Sequence, residues 1–184
     1  TISMRKMYLP VLAIVLIFIS SSSFAQITMY MKALDNNGNI LDGGSTAPGH
    51  SKEIELLAWS NGLSNCGNPN CTNLQDFSFI SNFSKATITA KQLLLQASLM
   101  QSVDVYFRKA GATFDYIRIR MEKVSVSSVS EGGSGGESNF TVNITFAPKK
   151  IAWQFTAPNG SGGSGQKTQT GWDFETNTPF SFNF

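Results

Sequence analysis

The residues best suited to chemistry in this chain gather between positions 50 and 55: His50, Ser51, Glu53 and Glu55. A histidine beside a serine suggests a base and a nucleophile. Sequence neighbours seldom point at each other, however, and nothing in the sequence singles out an acid to orient the imidazole. The pattern favours a solvent-facing or interface histidine. Glu53 and Glu55, two apart on a strand, share a face and mimic a catalytic carboxylate pair. On strands such carboxylates more often meet lysines or arginines across the sheet or an interface. Arg118 and Arg120 read the same way, as contact residues on the outer face of another strand. The run GGSGGE at 132–137 shares only composition with a phosphate loop, since a strand follows it and no lysine closes it. It reads as a hairpin turn. No catalytic residue and no cofactor site emerges.

Cys66 and Cys71 lie in NCGNPNC. Zinc would need two more soft ligands, and His50 is the only histidine. A disulfide clip across a turn fits better, with modest benefit because the closed loop is short. It also suits an exported chain, and export is what the beginning of the sequence suggests. Arg5 and Lys6 precede an apolar run from Met7 to Ile19, and Ser23-Phe24-Ala25 resembles a cleavage site. Residues 4–25 are therefore expected to be a cleaved secretory signal, with the chain acting in the periplasm or outside the cell. The run falls short of the roughly 18 apolar residues that a membrane anchor requires, so no stable membrane insertion is expected.

Of the 14 basic residues, Arg5 and Lys6 fall in that segment, leaving 12 to balance 12 acidic ones. A neutral domain has no electrostatic reason to bind nucleic acid. The 184 residues suit one domain, and 41% hydrophobic with 14% charged residues is a globular composition.

The elements that must position these residues are mostly strands. Ile27–Leu34 alternates apolar and polar residues, as do Glu53–Ser60, Asp76–Phe83 and Ser102–Ala110. Thr113–Glu131 is the longest run. Ile117, Ile119 and Met121 share one parity, and Val124 and Val126 the other. A slip of one residue turns side chains to the opposite face, so a bulge is expected near Lys123. Asn139–Phe146 follows, broken at Pro148, and then Ile151–Phe155. Thr89 with Gln92 matches a capping box for one helix through AKQLLLQASLM. The stretch LDGGSTAPGHSK at 41–52 lacks periodicity, and loops of that length are usually functional or partner-bound. NGSGGSGQ reads as a flexible linker before an aromatic tail packing back on the domain, so residues 157–184 stand apart from a barrel at 26–156. The expected fold is mainly β: an antiparallel barrel of two curved sheets with one flanking helix.

Several pieces in order resemble the haemolysin-coregulated protein (Hcp) family, the tube protein of type VI secretion systems. They are MYMKALD at 29–35, GHSKEIELLAWSNG at 49–62, LQDFSF at 74–79, KQLLLQAS at 91–98, VYFRKAG at 105–111, YIRIRMEKVSVSSVSEGGSGGE at 116–137, VNITFAPKKIAWQF at 142–155 and GWDF at 171–174. The resemblance implies a non-enzymatic protein forming hexameric rings that stack into a tube, propelled by a sheath, tipped by a spike protein and able to carry small effectors. It also implies that the loop after the first strand helps join neighbouring subunits or rings: Gly43, Gly44, Ser45, Thr46, Pro48, Gly49, His50 and Lys52. Glu53, Glu55, Arg118 and Arg120 become strand-contact or lumen residues. The signal-like segment departs from the usual family pattern. It motivates an alternative, an exported adaptor or binding module that works without a contractile sheath.

Overall fold

The computed structural model describes residues 26–65, 67 and 72–184. The segment 4–25, Cys66 and Cys71 lie outside them. Strands β1 (Ile27–Leu34), β2 (Ile54–Ser60), β5 (Phe77–Asn82), β6 (Leu99–Lys109), β7 (Ile117–Gly132) and β8 (Thr141–Pro158) form the main body. A short hairpin, β3 (Leu63–Asn65) with β4 (Thr72–Leu74), hangs between β2 and β5. Helix α1 (Lys85–Leu95) connects β5 to β6, while β9 (Ser164–Asp173) and β10 (Thr178–Pro179) follow β8.

The sheet order is β10-β9-β8-β5-β2-β1-β6-β7, and β7 bonds back to β8. Six strands thus close on themselves, with β9 and β10 outside the ring of strands. The two curved sheets expected are halves of this one continuous sheet. Closure depends on the length of β7 and β8, which stay paired from Ile117–Phe155 to Gly132–Thr141. The pairing of β7 with both neighbours skips Lys123, which has φ +50°. A second irregularity follows between Val126 and Ser128. These bulges let residues of both parities turn inward, so Ile119, Met121, Val124 and Val126 are all buried. The parity slip in the sequence was the signature of that bend.

Side chains fill the interior. Phe77 stacks near Phe79 at 6.1 Å, and Phe79 meets Phe146 at 5.6 Å. Met31, Ile144 and Ile151 complete the packing, all at most 1% exposed.

Three expectations need correction. The helix begins four residues before Thr89: Ser84 is its N-cap, and the Ser84 N–H donates to Thr87 Oγ1 at 3.2 Å. Thr89 sits inside the helix and donates to the Lys85 carbonyl, so Thr89 and Gln92 cap nothing. Ala86, Ala90 and Leu93 are the buried face, and Leu99–Met100 already belong to β6. Secondly, Pro148 does not break the chain, because β8 runs through it. It falls between Phe146, where β5 leaves, and Lys150, where β9 joins, so one edge there is already unpartnered. Thirdly, the glycine-rich stretch after Ala157 is a hairpin turn, with the Asn159 N–H donating to the Gly163 carbonyl, and residues 164–173 form β9. Its polar residues become a strand because β8 supplies the ladder.

The Phe79 ring is the centre of this core. Phe79→Ala is expected to lower unfolding free energy by about 3–5 kcal/mol, read as a lower denaturant midpoint with unchanged slope.

Candidate functional site

The stretch from Leu41 to Glu53 follows β1 and folds back on itself. The Gly43 N–H donates to the Lys52 carbonyl at 2.9 Å, Ser45 N–H to the Glu53 carbonyl at 3.2 Å, and Lys52 N–H to the Ser45 carbonyl at 2.7 Å. Gly43 is required for this closeness, since a Cβ there would lie 2.5 Å from the Ile54 Cα. A further bond, from the Ala86 N–H to the Asp42 carbonyl at 2.9 Å, ties the loop to α1. The apparent irregularity of 43–52 conceals a compact hairpin.

His50 anchors its tip. The imidazole lies flat on the Tyr30 ring, 4.1 Å away at 5°, with Tyr106 tilted at 5.6 Å. Nδ1 meets Glu53 Oε2 at 2.7 Å, and both residues are buried, at 5% and 6% exposure. A carboxylate only accepts, so the bond puts a proton on Nδ1. Nε2 is enclosed without a partner. Of the two expectations for His50, solvent-facing or interface, the first is corrected: within the subunit Tyr30 and Tyr106 of the barrel wall cover it. The loop also separates two carboxylates that share a strand face. Glu53 is buried on His50, while Glu55 is exposed and accepts from Ser45 Oγ at 3.0 Å. They do not form a catalytic pair.

The two arginines of β7 are neutralised within the subunit. Arg120 Nη1 donates to Asp104 Oδ2 at 2.6 Å, and Arg118 shares buried Asp115 with Arg108, the closest contacts being 3.1 and 2.7 Å. Burial raises the Asp104 pKa against the opposing pull of Arg120. Burial, with the nearby Asp104 charge, also raises that of the Tyr106 phenol. The C-terminal tail completes the cover: Phe182 lies 4.7 Å from the Arg120 guanidinium and Phe180 5.3 Å from Lys150 Nζ. Lys150 in turn bonds Asp173 at 2.9 Å and holds its carboxyl down to about 2. Lys150 is itself raised, chiefly by the same bond.

Among the described residues no group of three or more His, Cys, Asp or Glu side chains is placed to hold a metal. No helix among them is long and apolar enough to cross a membrane. The glycine run forms the turn between β7 and β8, as its context required. Sequence reasoning missed Tyr30, Asp104 and Asp115. A signal existed for Asp104, because Ser102, Asp104, Tyr106 and Arg108 form the polar parity of β6. The described charged side chains of this site are thus largely paired within the subunit, around a filled barrel interior.

Comparison with known proteins gives this arrangement a context. Residues 30–155 match the family described as "Type VI secretion system effector, Hcp". The chain belongs to the Hcp family. Protein hcp1 of Pseudomonas aeruginosa is 31% identical over 163 residues, covering 82% of this chain and 97% of that protein. In fold, the chain is similar to a structure of a type six secretion system protein, with TM-score 0.73, 24% identity, and coverage of 84% and 100% of the two chains. Hcp1 from Salmonella typhimurium gives 0.71 at 19% identity, covering 85% and 100%. Hcp proteins are structural, and this chain is accordingly a tube-forming component of type VI secretion, not an enzyme.

Two outcomes follow from the site geometry. His50→Ala strips the ring from Tyr30 and leaves the Glu53 carboxyl buried without its donor. Unfolding free energy should fall by about 2 kcal/mol or more, whereas Glu53→Gln, which keeps a hydrogen-bonding group in place, should lose less. Equal losses in chemical denaturation would contradict the proposed anchor. The Asp173 carboxyl, depressed from 3.8 to about 2, contributes stability above its unfolded value that disappears as pH falls through the folded one. Asp173→Asn should therefore flatten the acid limb of a melting-temperature profile across that interval.

Proposed function

We propose that the Hcp barrel acts as one subunit of a hexameric ring, and that such rings stack into a secreted tube able to carry small effector proteins behind a spike protein. The observation that carries this reading is the family match across residues 30–155 on a barrel with a packed interior. Because Phe77, Phe79 and Phe146 fill the barrel, any channel must lie between subunits. The exposed strand faces and the compact 43–52 loop are then the joining surfaces. Gly44, Thr46, Pro48, Gly49 and Lys52 offer backbone and side chains to a neighbour, while His50 holds the loop in shape from behind. Glu55 is the exposed carboxylate available across a joint. Arg118 and Arg120 contribute through the charge balance of the wall.

The segment Met4–Ala25 supports export by a cleaved signal, delivering the barrel to the periplasm or the medium. That same segment favours a second reading, an exported adaptor that keeps the fold but works without a sheath. In that oxidising location Cys66 and Cys71 would form their clip.

Native mass spectrometry of the purified protein tests the first reading: a hexamer is expected, and a strict monomer at high concentration contradicts it. Export assays separate the two. If deleting the sheath leaves export unchanged while deleting residues 4–25 abolishes it, the adaptor reading replaces the tube.

A further inference from the structure

The C-terminal tail begins as the outermost strand of the sheet and then leaves it. In β10, Thr178 pairs with Asp173 and Pro179 with Trp172, and the Phe180 N–H donates to the Gly171 carbonyl. The same register would set Ser181 against Thr170, but no further pairing occurs. The tail instead crosses the outer face toward Arg120, over Ala152 and Gly171 and bordering a cavity that Gln169 and Thr170 also line. Gly171 makes this crossing possible, since a Cβ there would collide with the Phe180 carbonyl oxygen. As a result β9 between Ser164 and Thr170 is bonded to β8 on one side and, among the described residues, to no strand on the other.

An open strand edge of this length is a template for pairing with another chain. In an antiparallel strand each residue directs its N–H and C=O to the same edge, and the edge alternates along the chain. The Gly171 carbonyl faces the tail, so Gln169 and Lys167, of the same parity, present their backbone groups to the open edge.

A different unpaired edge lies elsewhere on the molecule. Strands β1 and β2 share only the register pairs Tyr30–Glu55 and Met31–Ile54, then part. From Leu56 to Ser60, β2 is paired among the described residues with β5 alone. Leu57 and Trp59 are exposed there, at 53% and 39%, and the exposed Glu55 carboxylate stands at its head. The open length of β9 carries one charge, Lys167, of opposite sign.

We infer that the open edge of β9 in one copy of this chain docks on the β2 edge of a second copy, with Lys167 meeting Glu55 across the joint. The inference rests on the ring reading above and names its joint. Two unlike edges on one molecule give a head-to-tail contact, the only kind that closes a ring of more than two identical subunits about a single axis. The occupant is a second copy because the charge of each edge complements the other and both belong to every subunit.

Lys167→Pro deletes an outward N–H and touches no β8–β9 bond, whereas Gln169→Pro also removes the 3.3 Å bond that buried Gln154 of β8 donates to the Gln169 side chain. Lys167→Pro is therefore the primary variant, and folding of both is checked by circular dichroism and melting temperature. Native mass spectrometry of the full chain should show hexamer reduced at least tenfold in both. Lys167→Glu and Glu55→Lys should each weaken assembly, and the double exchange should restore it. Wild-type hexamers together with undiminished hexamers in folded proline variants, or a double exchange no better than either single one, overturn the joint while leaving the ring intact. A wild type that never assembles overturns both the ring and the joint.

Discussion

Everything in this molecule depends on the pairing of β7 with β8. The two longest strands remain hydrogen-bonded from Ile117–Phe155 to Gly132–Thr141, and each is long enough to serve two neighbours. The first half of β7 also pairs with β6. The first part of β8 pairs with β5 and its last part with β9. Without this shared seam the sheet would be an open eight-stranded ribbon, with an apolar face too large to leave in water. With it, the sheet closes and encloses its aromatic core. The cost is local distortion, met by the positive φ at Lys123 and the irregularity after Val126.

A closed barrel leaves few edges, and what is left decides what the protein can do. The wall settles its own charges: Asp115 takes two arginines, Asp104 takes Arg120, and Glu53 takes His50. Buried carboxylates with such partners are structural, because removing either member strands the other away from water. This explains why a histidine–carboxylate contact at 2.7 Å does not amount to catalysis here. Nε2 is enclosed away from solvent, with no partner among the described residues. The same self-sufficiency frees the exposed strand edges and loop backbone for assembly, as a tube subunit requires.

Much of this was legible in the sequence where one strand carries its own pattern. Alternation located β1 to the residue, and the change of parity between Met121 and Val124 announced the bulge at Lys123. Legibility failed where the partner determines the outcome. The β9 sequence SGQKTQTGWD has almost no apolar signal and reads as linker, yet β8 provides its ladder. Ser84 and Thr87 outcompeted Thr89 and Gln92 as the helix start because the chain leaves β5 at Asn82 and must turn at once. The burial of His50 depends on Tyr30, twenty residues away, and no local pattern records that stacking.

The ring proposed above requires a filled barrel, its wall charges paired locally, to surround a channel with copies of itself. Electron microscopy of the purified protein tests this most directly. Six-fold rings with an open centre are the expected particles. Uniform compact particles without a channel, at concentrations where the protein is folded, would rule the ring out.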